Sequence, residues 1–367
     1  MKCASVAVAA TVGLFVLVQA GALALVEPFM DAGYQAVEDP SDPTNSLLYV
    51  GAILVATAVI LASIRAGFDR LLQALVVFAA TFIAFYVFSV VLPPVLVVGG
   101  LNVLAVGAAF VLGAGLLVHP EWYVIDAAGI VMGAGAAGIF GISFGLAPAL
   151  VLLVALAVYD AVSVYGTEHM LALASGAMDL RLPVVFVVPL TPSYSFLEAD
   201  DPAALSDDRG DPADADEAAA DAANGVGSAA GASDAAGAAP DGAGHDDEAA
   251  TATESRDGET AAPLDRDAFF IGLGDAVIPT VLVASAAFFR PGGAALLGVP
   301  GLAVTAPVLG AMAGTLCGLL VLLWLVLEGR AHAGLPLLNG GAIVGYLAGT
   351  IAVGVPVVDA LGLAPYV

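Results

Sequence analysis

Nine long apolar runs constrain what this chain can fold into more than any other feature of its sequence. Each run holds about 20 residues, which is the length that an α-helix needs to cross the roughly 30 Å apolar core of a bilayer. Inside lipid, every backbone N–H and C=O needs a partner within the protein, which favours helices. We therefore predict an all-α polytopic membrane protein with nine transmembrane helices. The predicted spans are 4–26, 46–64, 71–92, 96–118, 123–144, 147–165, 268–289, 302–327 and 335–355.

Negative charge is concentrated in one segment between the sixth and seventh runs. The formal net charge is −25, and the segment 198–267 is rich in Asp, Ala and Gly. Such a segment cannot bury an apolar core, so we predict a disordered loop. With Lys2 as the only lysine, this acidity is typical of a high-salt cytoplasm, as in a halophilic archaeon. Nucleic acid is not a predicted partner, because the sequence has no basic patch to meet phosphate.

Basic residues predict the orientation of the chain in the membrane, because they favour the cytoplasmic side. With a cytoplasmic N-terminus, Arg290 is the only basic residue that falls outside. We therefore predict a multi-pass protein of the cell membrane with the long acidic loop in the cytoplasm. The first run also resembles a signal peptide with a cleavage site near Ala20-Gly21-Ala22, but it continues to Val26, which favours a retained helix.

Two aspartates lie inside predicted spans. Asp160 stands near the end of span six, and Asp275 stands near the start of span seven. An aspartate in such a place costs about 2.5–3.5 kcal/mol on insertion scales, and it is by default a candidate functional residue. Both carboxylates are predicted at a similar depth near the cytoplasmic side, so they can meet if the two spans are neighbours. Asp126 also falls within a span, where we expect an interfacial position or a bond to a loop.

Two carboxylates that meet in a site of low dielectric constant cannot both ionise cheaply, so the pair shares a proton. The charged member can then activate a water, while the protonated member polarises a peptide carbonyl. This chemistry needs no metal and no cofactor. Gly272 and Gly274 have no side chains, so a substrate backbone could approach Asp275 closely. Pro279 loosens the helix one turn later.

These residues resemble a known family. Gly272-Leu273-Gly274-Asp275 is similar to the GxGD motif of the presenilin and signal peptide peptidase family of intramembrane aspartyl proteases, and Tyr159-Asp160 resembles its YD motif. The resemblance implies a presenilin-like fold and an aspartic endopeptidase that cleaves transmembrane segments of membrane-protein substrates. Asp160 and Asp275 would be catalytic. Tyr159, Gly272, Leu273 and Gly274 would support the site, although core packing is an equal reading for Tyr159.

A third motif of that family, Pro-Ala-Leu, corresponds to Pro336-Leu337-Leu338 at the start of the last span. The resemblance implies that Pro336 and Leu338 shape the active site beside the two aspartates. Leucine stands where alanine is expected, and Leu337 is therefore predicted to narrow the site.

A short β-prone segment between two prolines follows the sixth span. Substrate peptide bonds are shielded inside a helix, so an unwound substrate needs new backbone partners, which an edge strand can supply. One prediction is that this segment pairs with substrate, and the other is that it is a re-entrant or interfacial packing segment. Its residues are Val184, Val185, Phe186, Val187 and Val188.

The competing function is a carboxylate-dependent ion or proton-coupled transporter, since membrane carboxylates also serve such carriers. No inverted repeat is visible in the sequence, which argues against it. The histidines show no metal-ligand spacing, and no GxSxG motif indicates a serine mechanism. Predicted partners are transmembrane-helix substrates and the bilayer, and self-association of the chain is compatible with the sequence.

The predicted organisation has four parts. Residues 1–165 form a six-span half, 166–197 an amphipathic and β-prone segment, 198–267 the acidic loop, and 268–367 a three-span half.

Overall fold

Helices make up most of the structure, a computed structural model that describes residues 2–37, 39–42, 44–166, 184–190, 194, 268–289, 304–328 and 333–363. The long helices of these ranges are α1 (Lys2–Asp31), α2 (Thr44–Arg65), α3 (Asp69–Val91), α4 (Val103–Val118), α5 (Trp122–Ser143), α6 (Leu146–Gly166), α7 (Leu273–Phe289), α8 (Ala306–Leu327) and α9 (Gly334–Ala352). A short helix, α10 (Val357–Ala360), follows. Two antiparallel sheets of two strands each pair β1 (Val97–Val98) with β2 (Leu101–Asn102), and β3 (Val185–Pro189) with β4 (Ala268–Gly272).

Seven helices in the described part of the chain are long and apolar enough to cross a membrane. The helices α4 and α7 are apolar but shorter, with 16 and 17 residues. The prediction of a mostly helical chain with several membrane-crossing helices is confirmed. The predicted amphipathic stretch after α6 and the predicted acidic loop lie outside the described residues.

Two predicted spans are too long at their N-terminal ends. The fourth span was expected from residue 96, but residues 97–102 form a hairpin whose turn glycines, Gly99 and Gly100, have positive φ values of 60° and 84°. Asn102 then caps α4 by accepting a hydrogen bond from the Leu104 N–H. The seventh span was expected to be helical from residue 268, but residues 268–272 are the strand β4 because β3 supplies the backbone partners.

Helix α7 lies at the centre of the fold. It contacts α1, α5, α6, α8 and α9, and most of its side chains from Thr280 to Ala287 are fully buried. The neighbouring position of α6 and α7, on which the meeting of the two aspartates depends, is present. Asp275, at the start of α7, is therefore carried by a helix that packs against five other helices.

Glycines on α5 let this helix approach its neighbours closely. A Cβ atom on Gly141 would collide with the backbone of Ala284 on α7. A Cβ on Gly138 would press on the ring of Phe29 in α1. Close approach of helix backbones is the usual source of stability between membrane helices, because lipid already solvates their apolar side chains.

The contact between α8 and α9 is closer still. Every fourth residue of both helices is glycine there, and a Cβ on any of them would collide with the backbone of the facing helix. The residues are Gly310, Gly314 and Gly318 on α8 and Gly341, Gly345 and Gly349 on α9. This contact holds α9, including its first turns, against α8.

We expect Gly345→Ala to lower the free energy of unfolding by about 1–3 kcal/mol, the usual cost of adding a methyl group to a filled core. The added methyl meets the backbone of Gly310. The matched control is Gly340→Ala, because a Cβ at Gly340 has nothing within 4 Å. The midpoint of thermal unfolding in detergent measures both. Equal midpoints for the two variants would show that the helices separate without cost.

Candidate active site

Asp160 is a buried carboxylate near the end of α6, with 4% of its surface exposed. The backbone N–H of Leu335 donates a hydrogen bond to its Oδ2 atom at 3.0 Å. Leu335 is the second residue of α9. The first N–H groups of a helix have no partner within it, and the positive end of the helix favours a negative charge. The start of α9 therefore supplies Asp160 with a backbone donor, which the identity of the side chain does not reveal.

Asp275 lies in the first turn of α7 and is half-buried. Two glycines lie close to its carboxylate. A Cβ on Gly272 would lie 3.4 Å from Oδ2, and a Cβ on Gly334 would lie 3.2 Å from the same atom. Gly334 is the first residue of α9. A side chain at either position would restrict where this carboxylate can sit.

The two aspartates therefore meet at the same dipeptide. Gly334 faces the carboxylate of Asp275, and Leu335 donates its N–H to the carboxylate of Asp160. Three helices that are distant in sequence, α6, α7 and α9, thus build one site from two acids and one helix start.

The remaining residues of the two aspartate motifs surround this site in different ways. Tyr159 is half-buried on α6. Leu273 is buried, and its N–H donates to the Val184 carbonyl at 2.8 Å. Gly274 is exposed, and among the described residues none lies within 4 Å of a Cβ placed there. The described part of the chain therefore leaves this side of the site, next to Asp275, open.

The residues Pro336, Leu337 and Leu338 belong to the first turns of α9. Leu338 is fully buried, whereas Pro336 and Leu337 are half-buried. The backbone of Leu337 packs against Gly318 of α8, where a Cβ would collide with the Leu337 carbonyl. This segment, which follows Gly334 and Leu335 in α9, therefore packs against α8.

The predicted strand at 184–188 is present as β3, but its partner in the structure is β4 of the same chain. The register pairs Val185 with Gly272 and Val187 with Phe270. The strand β4 runs directly into α7, three residues before Asp275. The sheet is therefore built onto the segment that carries the second aspartate.

Sequence reasoning missed the most direct contacts of the site. Gly334 and Leu335 act through their backbone, and Gly334 could have been noticed as a glycine two residues before a proline. Asn339, one turn later on α9, donates from Nδ2 to the Leu153 carbonyl of α6 at 2.9 Å and is buried. Asp126, for which an interfacial position or a bond to a loop was expected, accepts a hydrogen bond from the Val187 N–H, and Val187 belongs to strand β3.

Comparison with known proteins decides the class of site. The sequence profile of a family described as signal-peptide peptidase, presenilin aspartyl protease matches residues 12–355. The chain belongs to this family. The prediction of an intramembrane aspartic endopeptidase is confirmed, whereas the transporter alternative finds no support.

Two solved structures are similar to this one over almost the whole chain. Both are described as a presenilin family intramembrane aspartate protease, one in space group C222 and one in P2. The first is 30% identical, with a TM-score of 0.57, and the match covers 94% of this chain and 99% of the other. The second is 29% identical, with a TM-score of 0.54, and covers 93% and 96%. No curated protein sequence matches the chain.

Proposed function

We propose that Asp160 and Asp275 are the catalytic pair, and that they hydrolyse peptide bonds within transmembrane segments of membrane-protein substrates. The observation that carries this proposal is made at two neighbouring residues at the start of α9. Leu335 donates its N–H to the carboxylate of Asp160, and Gly334 lies close to the carboxylate of Asp275. Two carboxylates in this position share one proton, because ionising both in a site of low dielectric constant is costly. The family of the chain supplies the reaction class.

The reaction follows from the shared proton. The ionised carboxylate takes a proton from a water, and the water oxygen attacks the carbonyl carbon of the scissile peptide bond. The protonated carboxyl donates a hydrogen bond to the carbonyl oxygen, where negative charge develops. A proton then passes to the amide nitrogen as the C–N bond breaks. Because the two groups titrate as a pair, the acid and base roles belong to the pair.

The sheet of β3 and β4 offers backbone partners for an unwound substrate. One edge of β3 is paired with β4, and on its other edge the Val187 N–H donates to Asp126 while Pro189 has no N–H. The backbone N–H and C=O of Gly272 on β4 point away from β3, since alternate residues of an antiparallel strand face opposite edges. We therefore propose that the substrate strand pairs with β4. The segment 184–188, which was predicted to pair with substrate, then lies on the opposite side of β4 from the substrate.

Supporting roles follow from position. Gly274 leaves room for the substrate backbone on the open side of the site. Leu273 anchors the start of α7 to β3, and Gly272 leaves room for the Asp275 carboxylate. Pro336, Leu337 and Leu338 hold the start of α9 against the dyad, and Tyr159 packs beside Asp160.

For the membrane arrangement we propose nine spans with a cytoplasmic N-terminus. The helices α4 and α7 are about 24 Å and 26 Å long at 1.5 Å per residue, slightly less than the apolar thickness of a bilayer. In this orientation one basic residue, Arg290, lies outside. The cytoplasmic set is Lys2, Arg65, Arg70, Arg181, Arg209, Arg256, Arg266 and Arg330.

The same arrangement gives the location of the acidic segment, of the two halves of the chain and of the protein's partners. The acidic segment 198–267 is then a cytoplasmic loop that joins a six-span half, 1–165, to a three-span half, 268–367, through the segment 166–197. The protein resides in the cell membrane, with the bilayer and transmembrane substrates as partners, and self-association is compatible with this placement.

The proposed function is tested by incubating the purified chain with a tagged single-span substrate and measuring product masses. We expect cleavage inside the span by the wild type and none by the double variant Asp160→Ala/Asp275→Ala. Equal cleavage by both would assign the activity to a contaminant. An inactive wild type whose aspartates instead control cation flux into liposomes would contradict the protease function.

A further inference from the structure

A carboxylate lies at the outer edge of β3. Leu273 and Val184 form a hydrogen-bonded pair across the sheet. In an antiparallel pair such residues alternate with residues whose N–H points to the opposite edge, so the Val187 N–H points away from β4. There it donates to Oδ1 of Asp126 on α5 at 2.8 Å, and both residues are buried. A carboxylate therefore stands where a neighbouring strand would otherwise bind.

The same face of α5 receives the side chains of the sheet. Gly129 is one turn after Asp126, and a Cβ there would lie 2.8 Å from the Phe186 ring, which is fully buried. Gly133 is one further turn along, and a Cβ there would lie 3.3 Å from both Leu273 and Val277 of α7. Residues three or four apart share one face of a helix. The seat on α5, defined by Asp126, Gly129 and Gly133, thus contacts β3 and the start of α7 together.

This seat is linked to Asp275 by a short path of backbone contacts. Val187 is paired in register with Phe270, and β4 passes directly into α7 at Leu273. Asp275 is two residues further on. A shift of β3 along or away from α5 would therefore move the strand that positions the substrate and the helix start that carries Asp275. A buried carboxylate within a membrane span is costly, and here its contact is with a strand backbone.

We propose that Asp126 is a positioning residue that fixes which peptide bond of the substrate reaches the dyad, by holding β3 in register on the seat of α5. This role rests on the proposed function of Asp160 and Asp275. Asp126 closes the outer edge of β3 by accepting the Val187 N–H, while Gly129 admits the Phe186 ring. The sheet then presents β4 to the substrate in one position relative to Asp275.

The test compares Asp126→Ala, Asp126→Asn and Gly129→Ala with the wild type on a single-span substrate. We expect Asp126→Ala to lower kcat/KM about tenfold or more and to spread cleavage over neighbouring peptide bonds, since small misplacements of reacting groups slow catalysis strongly. Asp126→Asn keeps a carbonyl oxygen for the Val187 N–H, so it should keep the cleavage position and most of the rate. Gly129→Ala should change the cleavage position by displacing Phe186.

The control is Asp31→Ala, because Asp31 is exposed at the end of α1. Midpoints of thermal unfolding show whether each variant folds. If Asp126→Ala does not fold, Asp126→Asn and Gly129→Ala still decide the outcome. Unchanged product masses and kcat/KM values within twofold for Asp126→Ala and Gly129→Ala would overturn the inference, as would equal defects in Asp126→Ala and Asp126→Asn. A wild type without cleavage would instead count against the proposed function.

Discussion

Replacing either Asp160 or Asp275 with asparagine is expected to reduce kcat by at least about 10³-fold, and replacing both should cost no more than replacing one. Members of a catalytic unit show this non-additivity, because the first loss already removes the function of the unit. Asparagine keeps the size of the side chain but can neither take a proton from water nor pass one on. Rates of product formation at saturating substrate measure the effect in both single variants and the double variant.

The matched control for these variants is Asp31→Asn, which removes an exposed carboxylate at the end of α1 and should retain the wild-type rate. Thermal unfolding in detergent shows whether each variant is folded. A double variant much slower than either single variant would mean that the aspartates act independently. That result would contradict the shared proton, although not the involvement of the two residues.

The two aspartates could be found from sequence because a carboxylate inside an apolar run is costly and therefore rare. Their partners could not, because the groups that contact them are the N–H of Leu335 and the Cα of Gly334. Every residue except proline has the same backbone donor, so sequence carries no mark of which one is used. The position of these groups follows from the packing of α9 on α8 and α6, which links residues far apart in the chain.

Of the two strands β3 and β4, only one could be predicted from the sequence. Ala268 to Gly272 is apolar without a clear period, and such a run fits a buried strand or the first turn of a helix equally well. Its strand form depends on pairing with residues 79 to 87 positions earlier, from the pair Pro189 and Ala268 to the pair Val185 and Gly272. The segment 184–188 was predicted as a strand, because it is short, β-branched and bounded by Pro183 and Pro189. Local composition therefore predicted one strand of the sheet, and tertiary pairing determined the other.

Gly334→Val should reduce kcat by about 10²-fold with little change in KM, and Gly334→Ala should have a smaller effect in the same direction. A Cβ at this position would lie 3.2 Å from Oδ2 and 3.3 Å from Oδ1 of Asp275, so the carboxylate has to shift by a few tenths of an ångström. The two additional methyl groups of valine increase that displacement. A misplacement of about 1 Å can cost this much in rate, whereas the surface that binds substrate is unchanged.

Gly340→Ala and Gly340→Val are the matched controls, because they add the same side chains to the same helix where a Cβ has nothing within 4 Å. Steady-state rates and product masses separate the effect on kcat from an effect on binding, and thermal midpoints show whether α9 has been destabilised. If Gly334→Val is as active as Gly340→Val, Asp275 does not depend on the start of α9 for its position. If Gly334→Val is slow at an unchanged midpoint, the first residue of α9 sets the geometry of the dyad, and the third family motif acts through the backbone ahead of it.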